Sequence, residues 1–281
     1  MLYDFPVRRH PAARLAAGLI AAAVLAIAVP LAAQRRGRRG GFMTPPPNAA
    51  YDGAFRFCRI MFRNSTTGDG AGWYVDYPRA DLNLTFRLSE LTTTPVSRNP
   101  TEGFNHDVYR LTDPEIYRCP FIMMTEPGGA YFDDDEAAAL RAYLDRGGFL
   151  WADDFWGDHA FNAWSAELRK ALPANEFPIV DLGPDHPIFH TLYLVPRVPQ
   201  IPSIDFWIGT GGRTSERGAA SAEPHVRAVF DAKGHLMVLM THNTDFGDAF
   251  ERETDDRAYF DTFAGPGYAF GIDVLLYAMS H

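Results

Sequence analysis

Sulfur, positive charge and familiar catalytic signatures are all scarce in this sequence, and each scarcity removes a class of function. Only two of the 281 residues are cysteine, Cys58 and Cys119, and neither stands in the setting of a nucleophile. No G-x-S-x-G or G-x-C-x-G occurs, so no sharp strand-to-helix bend displays a serine or a thiol. HExxH or comparable metal spacing is missing as well. The stretch Thr210–Gly218, "TGGRTSERG", has neither a preceding strand nor a Lys-Ser/Thr pair, which rules out a phosphate loop. No period of about 20–50 residues recurs, excluding solenoids and propellers. The net charge of −9 is unevenly spread. Residues 1–40 carry seven arginines against the single Asp4, while the other 241 residues hold 19 basic and 34 acidic groups, a net of −15. Such an acidic body repels phosphates, so nucleic acid is not its partner.

What is present begins with an export pattern. Arg8, Arg9 and Arg14 precede an uncharged run, Leu15 to Ala33, that ends in small residues. Residues 1–33 therefore read as a signal peptide cleaved near Ala33, or as an N-terminal membrane anchor. Arg35, Arg36, Arg38 and Arg39 follow at once and oppose the positive-inside bias of an anchor. No cysteine near the cleavage point suggests a lipoprotein. The expectation is a body in the periplasm of a Gram-negative bacterium, touching the membrane only through an uncleaved N-terminal segment. Residues 34–50 are a Gly/Arg- then Pro-rich linker, and 51–281 form one domain.

Within that domain, hydrophobic patterning alternates between strand and helix. Ala54–Phe62 alternates as a first strand, and Pro78–Leu91 carries Leu84, Leu88 and Leu91 on one helical face. Phe121–Met124 is a continuous apolar run, as a buried parallel strand requires. Asp133 stands three residues before Glu136, an Asp version of the capping box, opening a helix Asp134–Arg146 that Gly147 stops. Phe149–Ala152 is the next strand, and Phe161–Leu172 the next helix. "VRAVFDAKGHLMVLMTHN" gives two strands joined through Lys233-Gly234, and an apolar helix closes the chain. Residues 194–224 are Pro- and Gly-rich and read as an insertion with a mobile tip at Gly209–Gly218, a flap over the sheet edge. The predicted fold is α/β: a mostly parallel, flavodoxin-like sheet with helices on both faces.

In such sheets ligands bind beyond the carboxyl ends of the strands. Three ends are readable: Thr125-Glu126, Asp153-Asp154, and Thr241 through Asp245 with His242 and Asn243. Asp153 and Asp154 side by side carry more charge than one helix cap needs, so like-charge repulsion should raise a pKa or recruit a cation. A divalent metal on Asp153, Asp154 and either His242 or Asp245 fits hard oxygen chemistry. The structural alternative is equally concrete: Asp154 or Asp158 caps the next helix, Asp153 bonds a loop, and His242 is a satisfied half-buried ring. Trp151, Phe155, Trp156 and Trp164 crowd the pair, as a sugar-binding face or as core. His186 and His190 are four apart, but Pro187 between them breaks any common ligating face. Cys58 and Cys119 fall in separate strands. An oxidising compartment permits a disulfide between them, yet two core thiols are the expectation.

The blocks "GWYVDYP", "RLSELTTTPVSR", "LRAYLDRGGFLWADDFWG", "DHPIFHTLY", "TSERGAASAEPH", "LMVLMTHNTD" and "GIDVLLYAMSH" resemble bacterial domain-of-unknown-function family 4159, over about Tyr51 to His281. That family looks like a branch of the class I glutamine amidotransferase-like superfamily, similar to trehalose-utilisation-type domains. The resemblance implies a flavodoxin-like sheet. It does not imply glutaminase activity, because the position of the nucleophilic Cys matches Asp153 or Asp154, and His242 has no thiol to activate. Two functions remain open. One is a non-catalytic domain binding a small polar ligand, such as a saccharide, or a cell-envelope protein, through Glu126, Asp153, Asp154, Trp156, His242, Asn243 and Asp245. The other is a hydrolase in which Asp153 and Asp154, with or without a divalent metal, activate water while His242 carries the proton.

Overall fold

The computed structural model describes residues 44–101 and 103–281, so the Leu15–Ala33 run and the arginine-rich part of the linker lie outside the described residues. The chain opens with β1 (Phe57–Ile60), β2 (Arg63–Asn64), α1 (Arg79–Leu91) and β3 (His106–Tyr109). Next come β4 (Phe121–Thr125), β5 (Ala130–Tyr131), α2 (Asp134–Asp145), β6 (Phe149–Phe155) and α3 (Gly157–Ala171). The C-terminal part holds β7 (Val180–Asp181), α4 (Ile204–Thr210), β8 (His225–Phe230), β9 (Leu236–His242), α5 (Phe246–Glu251) and α6 (Gly265–Ser280).

Seven strands form one sheet in the order β3-β1-β4-β6-β9-β8-β7. The first five are parallel, and β8 and β7 add an antiparallel edge. Helices cover both faces, which explains why the central strands are apolar without alternation. Phe121, Met123, Phe149 and Trp151 point into a core shared with Leu84 and Leu88 of α1, Phe250 of α5 and Ile272 of α6. Their neighbours Ile122, Met124, Leu150 and Ala152 point to the other core, shared with Leu140 and Tyr143 of α2 and Trp164 and Leu168 of α3. Among the described residues no helix is long and apolar enough to cross a membrane.

Local signals explain the helix ends. Asp133 and Glu136 form a reciprocal capping box on α2, and Gly147 leaves it with φ +89. Helix α3 starts a turn earlier than its apolar pattern indicates, at Gly157, because its first N–H is capped by the residue that follows β9: Gly157 N donates to Asn243 Oδ1 at 2.8 Å. Neither Asp154 nor Asp158 caps it. Pro187–Phe189 forms a short turn that buries Ile188 and Phe189, leaving His186 and His190 without a common metal face.

Three features differ from the sequence reading. Cys58 and Cys119 are a disulfide rather than two thiols, with Cα atoms 6.2 Å apart. Adjacent pairing of β1 and β4, together with the turn at Pro120, brings the two sulfurs onto one face, which strand assignments alone do not reveal. Strand β3 went unforeseen because its four residues, HDVY, carry no apolar pattern. Its outer edge is blunted by Asn48, whose side chain bonds both Val108 N and Val108 O. The 194–224 insertion is not a bare loop. It contains α4, Trp207 packs edge-on against Tyr259 and Phe263, and Glu216 accepts from Ser203 N.

Candidate functional site

Four non-glycine residues have positive φ among the described residues: Asp76, Glu126, Asp154 and Asn243. Left-handed backbone costs an ordinary side chain about 1–2 kcal/mol, so its grouping is informative. Glu126 follows β4, Asp154 lies at the end of β6, Asn243 follows β9, and Asp76 precedes α1. At Asp154 the pairing of β6 with β9 slips between Ala152 and Phe155, a bulge that re-aims the side chain.

The bulge separates the two adjacent aspartates. Asp153 is completely buried and accepts from the Thr241 hydroxyl (2.5 Å), Phe246 N (2.9 Å) and Gly247 N (3.1 Å). It therefore anchors the start of α5. Burial pushes its pKa up to about 7, against the pull of those three donors. Asp154 accepts from Trp156 Nε1 through Oδ1 (2.9 Å) and belongs to a different group of acids. Carboxylate oxygens of Asp76, Asp154 and Asp245 all lie within 4.8 Å of one another, and those of Asp76, Asp248 and Glu251 form a second such triad.

Each acid has a distinct local reason for its position. Asp245 caps α5, accepting from Asp248 N at 2.7 Å through Oδ1. Asp248 accepts from Ile204 N (2.7 Å) through Oδ2 and pairs through Oδ1 with Arg252 (3.4 Å), which also binds Glu251 (2.8 Å). Asp76 is only 8% exposed, and its Oδ2 has no hydrogen-bond partner. It can sit there only because residue 247 is glycine: a Cβ at that position would lie 2.1 Å from Asp76 Oδ2. The guanidinium of the fully buried Arg59 acts on Asp76 electrostatically but spends its hydrogen bonds elsewhere. It pairs with Asp81 and donates to Trp73 O, Val75 O and Thr125 Oγ1.

The electrostatics follow. Two like charges within 4.8 Å of each other repel by at least about 3 kcal/mol at an effective dielectric near 20. Burial, then the Asp248 carboxylate, raises Asp76 well above its ordinary pKa. For Asp154 burial comes first and Glu126 and Asp76 second, and for Asp245 burial is followed by Asp154 and Asp76. Asp248 is pushed up to about 6 by burial, moderated by its bonds to Ile204 N and Arg252. Tyr259, raised chiefly by burial and then by Asp248 and Asp245, closes the cluster with its hydroxyl on Pro202 O. Larger clefts of about 670 and 520 Å³ open elsewhere, along Leu194–Gln200 and beside Arg146–Phe149. Neither is lined by Asp76, Asp154 or Asp245.

The other predicted residues divide by role. Glu126 accepts from Ala71 N and Gly72 N, holding the glycine-rich 68–72 loop beside Asp154. Trp156 is buried, so its ring offers no platform for a sugar. Asn243 spends its side chain on Gly157 N and Glu223 O. His242 packs on Phe155, Phe161 and His225, on the α3 side of the sheet. Its Nε2 donates to Gly157 O (3.1 Å) and its Nδ1 accepts from Arg227 (2.8 Å), while burial lowers its pKa to about 4. Both nitrogens are engaged away from the acids. Sequence reasoning missed Asp76 and Asp248. The available signals were a lone Asp among aromatics in "WYVDYP" and the second Asp of "DFGD" at a helix start.

No curated protein matches the chain. A family model does match, over residues 61–279, and by that match the chain belongs to the family described as Domain of unknown function (DUF4159).

Proposed function

We propose that this is an exported, non-catalytic domain of the flavodoxin-like, class I glutamine amidotransferase-like kind, which binds a small cationic ligand at its acidic strand-end crevice. The parallel strands run, in chain order, 2-1-3-4-5 across the sheet, the flavodoxin-type order, and this supports the architecture. The observation that carries the binding reading is the Asp76–Asp154–Asp245 triad: three buried carboxylates with no salt-bridge partner among the described residues, the cation that acts on Asp76 being the Arg59 guanidinium already paired with Asp81. Buried charge is tolerated when it is paired, so a ligand that supplies the missing positive charge is what this site accepts. A neutral saccharide would leave that charge unpaired.

Attack chemistry is poorly supplied. The two cysteines are tied to each other near the amino ends of β1 and β4, at the end of the strands opposite the crevice. The hydrolase reading needs His242 to move a proton, and its two nitrogens serve Gly157 and Arg227 instead. The disulfide also supports export, since such bonds persist in oxidising compartments.

The test is a binding panel on the full chain: calcium, putrescine, arginine, and trehalose as a neutral saccharide, each against wild type and Asp154→Asn. The expected result is binding of a cation, weakened at least tenfold in the variant, with no turnover of esters, amides or glycosides. Trehalose binding that ignores Asp154→Asn would overturn the reading.

A further inference from the structure

We propose that Asp76, Asp154 and Asp245 are the protein ligands of a single divalent cation, and that this cation is calcium. The inference rests on the crevice reading above and gives its ligand a chemical identity. Asp76 supplies the observation that an acidic cluster alone would not. Its Oδ2 is buried, has no partner, and lies over Gly247, the one residue type that leaves room for it. A buried acceptor in that condition marks a place where something is missing. The hydrogen bonds of Asp154 and Asp245 both fall on Oδ1, from Trp156 Nε1 and Asp248 N. One oxygen of each remains for an ion.

The donor set selects the metal. Three carboxylates without nitrogen or sulfur suit a hard cation, because His242 faces away and both cysteines are cross-linked. Magnesium demands near-ideal octahedral geometry, keeps several waters and is usually held by one or two carboxylates, whereas calcium takes six to eight oxygens in flexible geometry. Three protein carboxylates whose oxygens lie within 4.8 Å of one another therefore suit calcium, with water completing its shell. The second triad does not take an ion, although it shares Asp76. Arg252 already bridges Glu251 and Asp248, and Ile204 N occupies the other oxygen of Asp248. The chain has supplied its own cation there.

Such an ion would tie together three segments far apart in sequence: the loop before α1, the end of β6 and the start of α5. Binding to the folded state alone therefore raises the melting temperature with calcium concentration.

The experiment is a calorimetric titration of the EDTA-treated full chain with CaCl₂, then MgCl₂ and MnCl₂, alongside melting curves and metal analysis of untreated protein. The expected result is one calcium per chain, bound with a Kd at or below about 1 mM. Asp76→Asn and Asp154→Asn, both compatible with left-handed backbone, should weaken it at least tenfold and abolish the melting shift, while Glu251→Gln binds as wild type does. The wild-type titration decides the matter even where a variant misfolds. Absence of calcium heat up to 10-fold above that Kd, with putrescine binding in its place, overturns the metal and leaves the crevice reading standing. Binding of neither overturns both. Equal calcium affinity in wild type and Asp76→Asn, or a second ion lost in Glu251→Gln, also overturns the inference.

Discussion

Asp153 and Asp154 are consecutive in the chain, yet Asp153 holds the N-terminus of α5 while Asp154 faces Asp76 and Asp245. The bulge at the end of β6 makes this possible by inserting a left-handed residue where the strand would otherwise continue. One acid is a structural anchor with three donors, and the other is one of three mutually repelling charges.

Chemically identical substitutions should therefore have different effects. Asp153→Asn replaces an acceptor that faces two backbone N–H groups and a hydroxyl, and is expected to cost about 1–3 kcal/mol. Asp154→Asn keeps the left-handed backbone and removes one buried charge, so stability in metal-free buffer should be unchanged or higher. Urea unfolding of the two variants with EDTA present checks the contrast. Equal destabilisation would mean that Asp154 is also an anchor.

Gly247 offers a sharper probe of the crevice. Alanine in an exposed helix is normally better than glycine by as much as about 1 kcal/mol, but here its Cβ would collide with Asp76 Oδ2. Gly247→Ala should destabilise by about 1–3 kcal/mol, through overpacking. In an Asp76→Gly background the clash is gone, and the same change should become neutral or stabilising. A double-mutant cycle in urea measures the coupling; additivity of the two changes would show that Asp76 does not rest on residue 247.

The Cys58–Cys119 bond closes a loop of 61 residues between two central strands. A loop of that size gives about 4 kcal/mol by chain entropy, of which about 2–4 is typically realised. The double variant Cys58→Ala/Cys119→Ala should lose that amount in denaturant. Both sulfurs are buried, so mild reductant should leave the folded protein intact and act only near the unfolding transition. Rapid reduction under native conditions would contradict this.

The sheet was legible because its central strands are uninterrupted apolar runs and its helices carry explicit caps, as at Asp133 and Gly147. Strand ends were legible too: Glu126, Asp154, Asn243 and Asp245 lie at or just after the ends of β4, β6 and β9. The side-chain partnerships were not. A hydrogen bond between Asp153 and an N–H at residue 246 spans 93 positions, and the bulge that turns Asp154 leaves no mark on its residue types. Asp76 was missed for the same reason, since only the fold sets a residue between two strands beside one 78 positions later. The disulfide needed the strand order, which patterning does not supply.

His242 gives the fold a pH dependence whose sign can be worked out. Its folded pKa is lowered to about 4, first by burial, while an unfolded histidine titrates near 6.5. Between those values the unfolded chain binds a proton that the folded one refuses, so stability rises with pH across that window. The contribution is complete above about pH 6.5, falls as pH drops, and is gone near pH 4, a loss of as much as about 3 kcal/mol. The opposing carboxylates, Asp153 among them with its raised pKa, titrate in the same range, so wild type alone does not isolate the term. His242→Gln does. The amide can still donate to Gly157 O and accept from Arg227, and it carries no proton to gain. Urea midpoints measured from pH 4 to 8 should show wild type losing ground to this variant steadily below pH 6.5. Parallel curves would mean that the ring titrates freely in the folded protein and that its engagement with Gly157 and Arg227 is not as described.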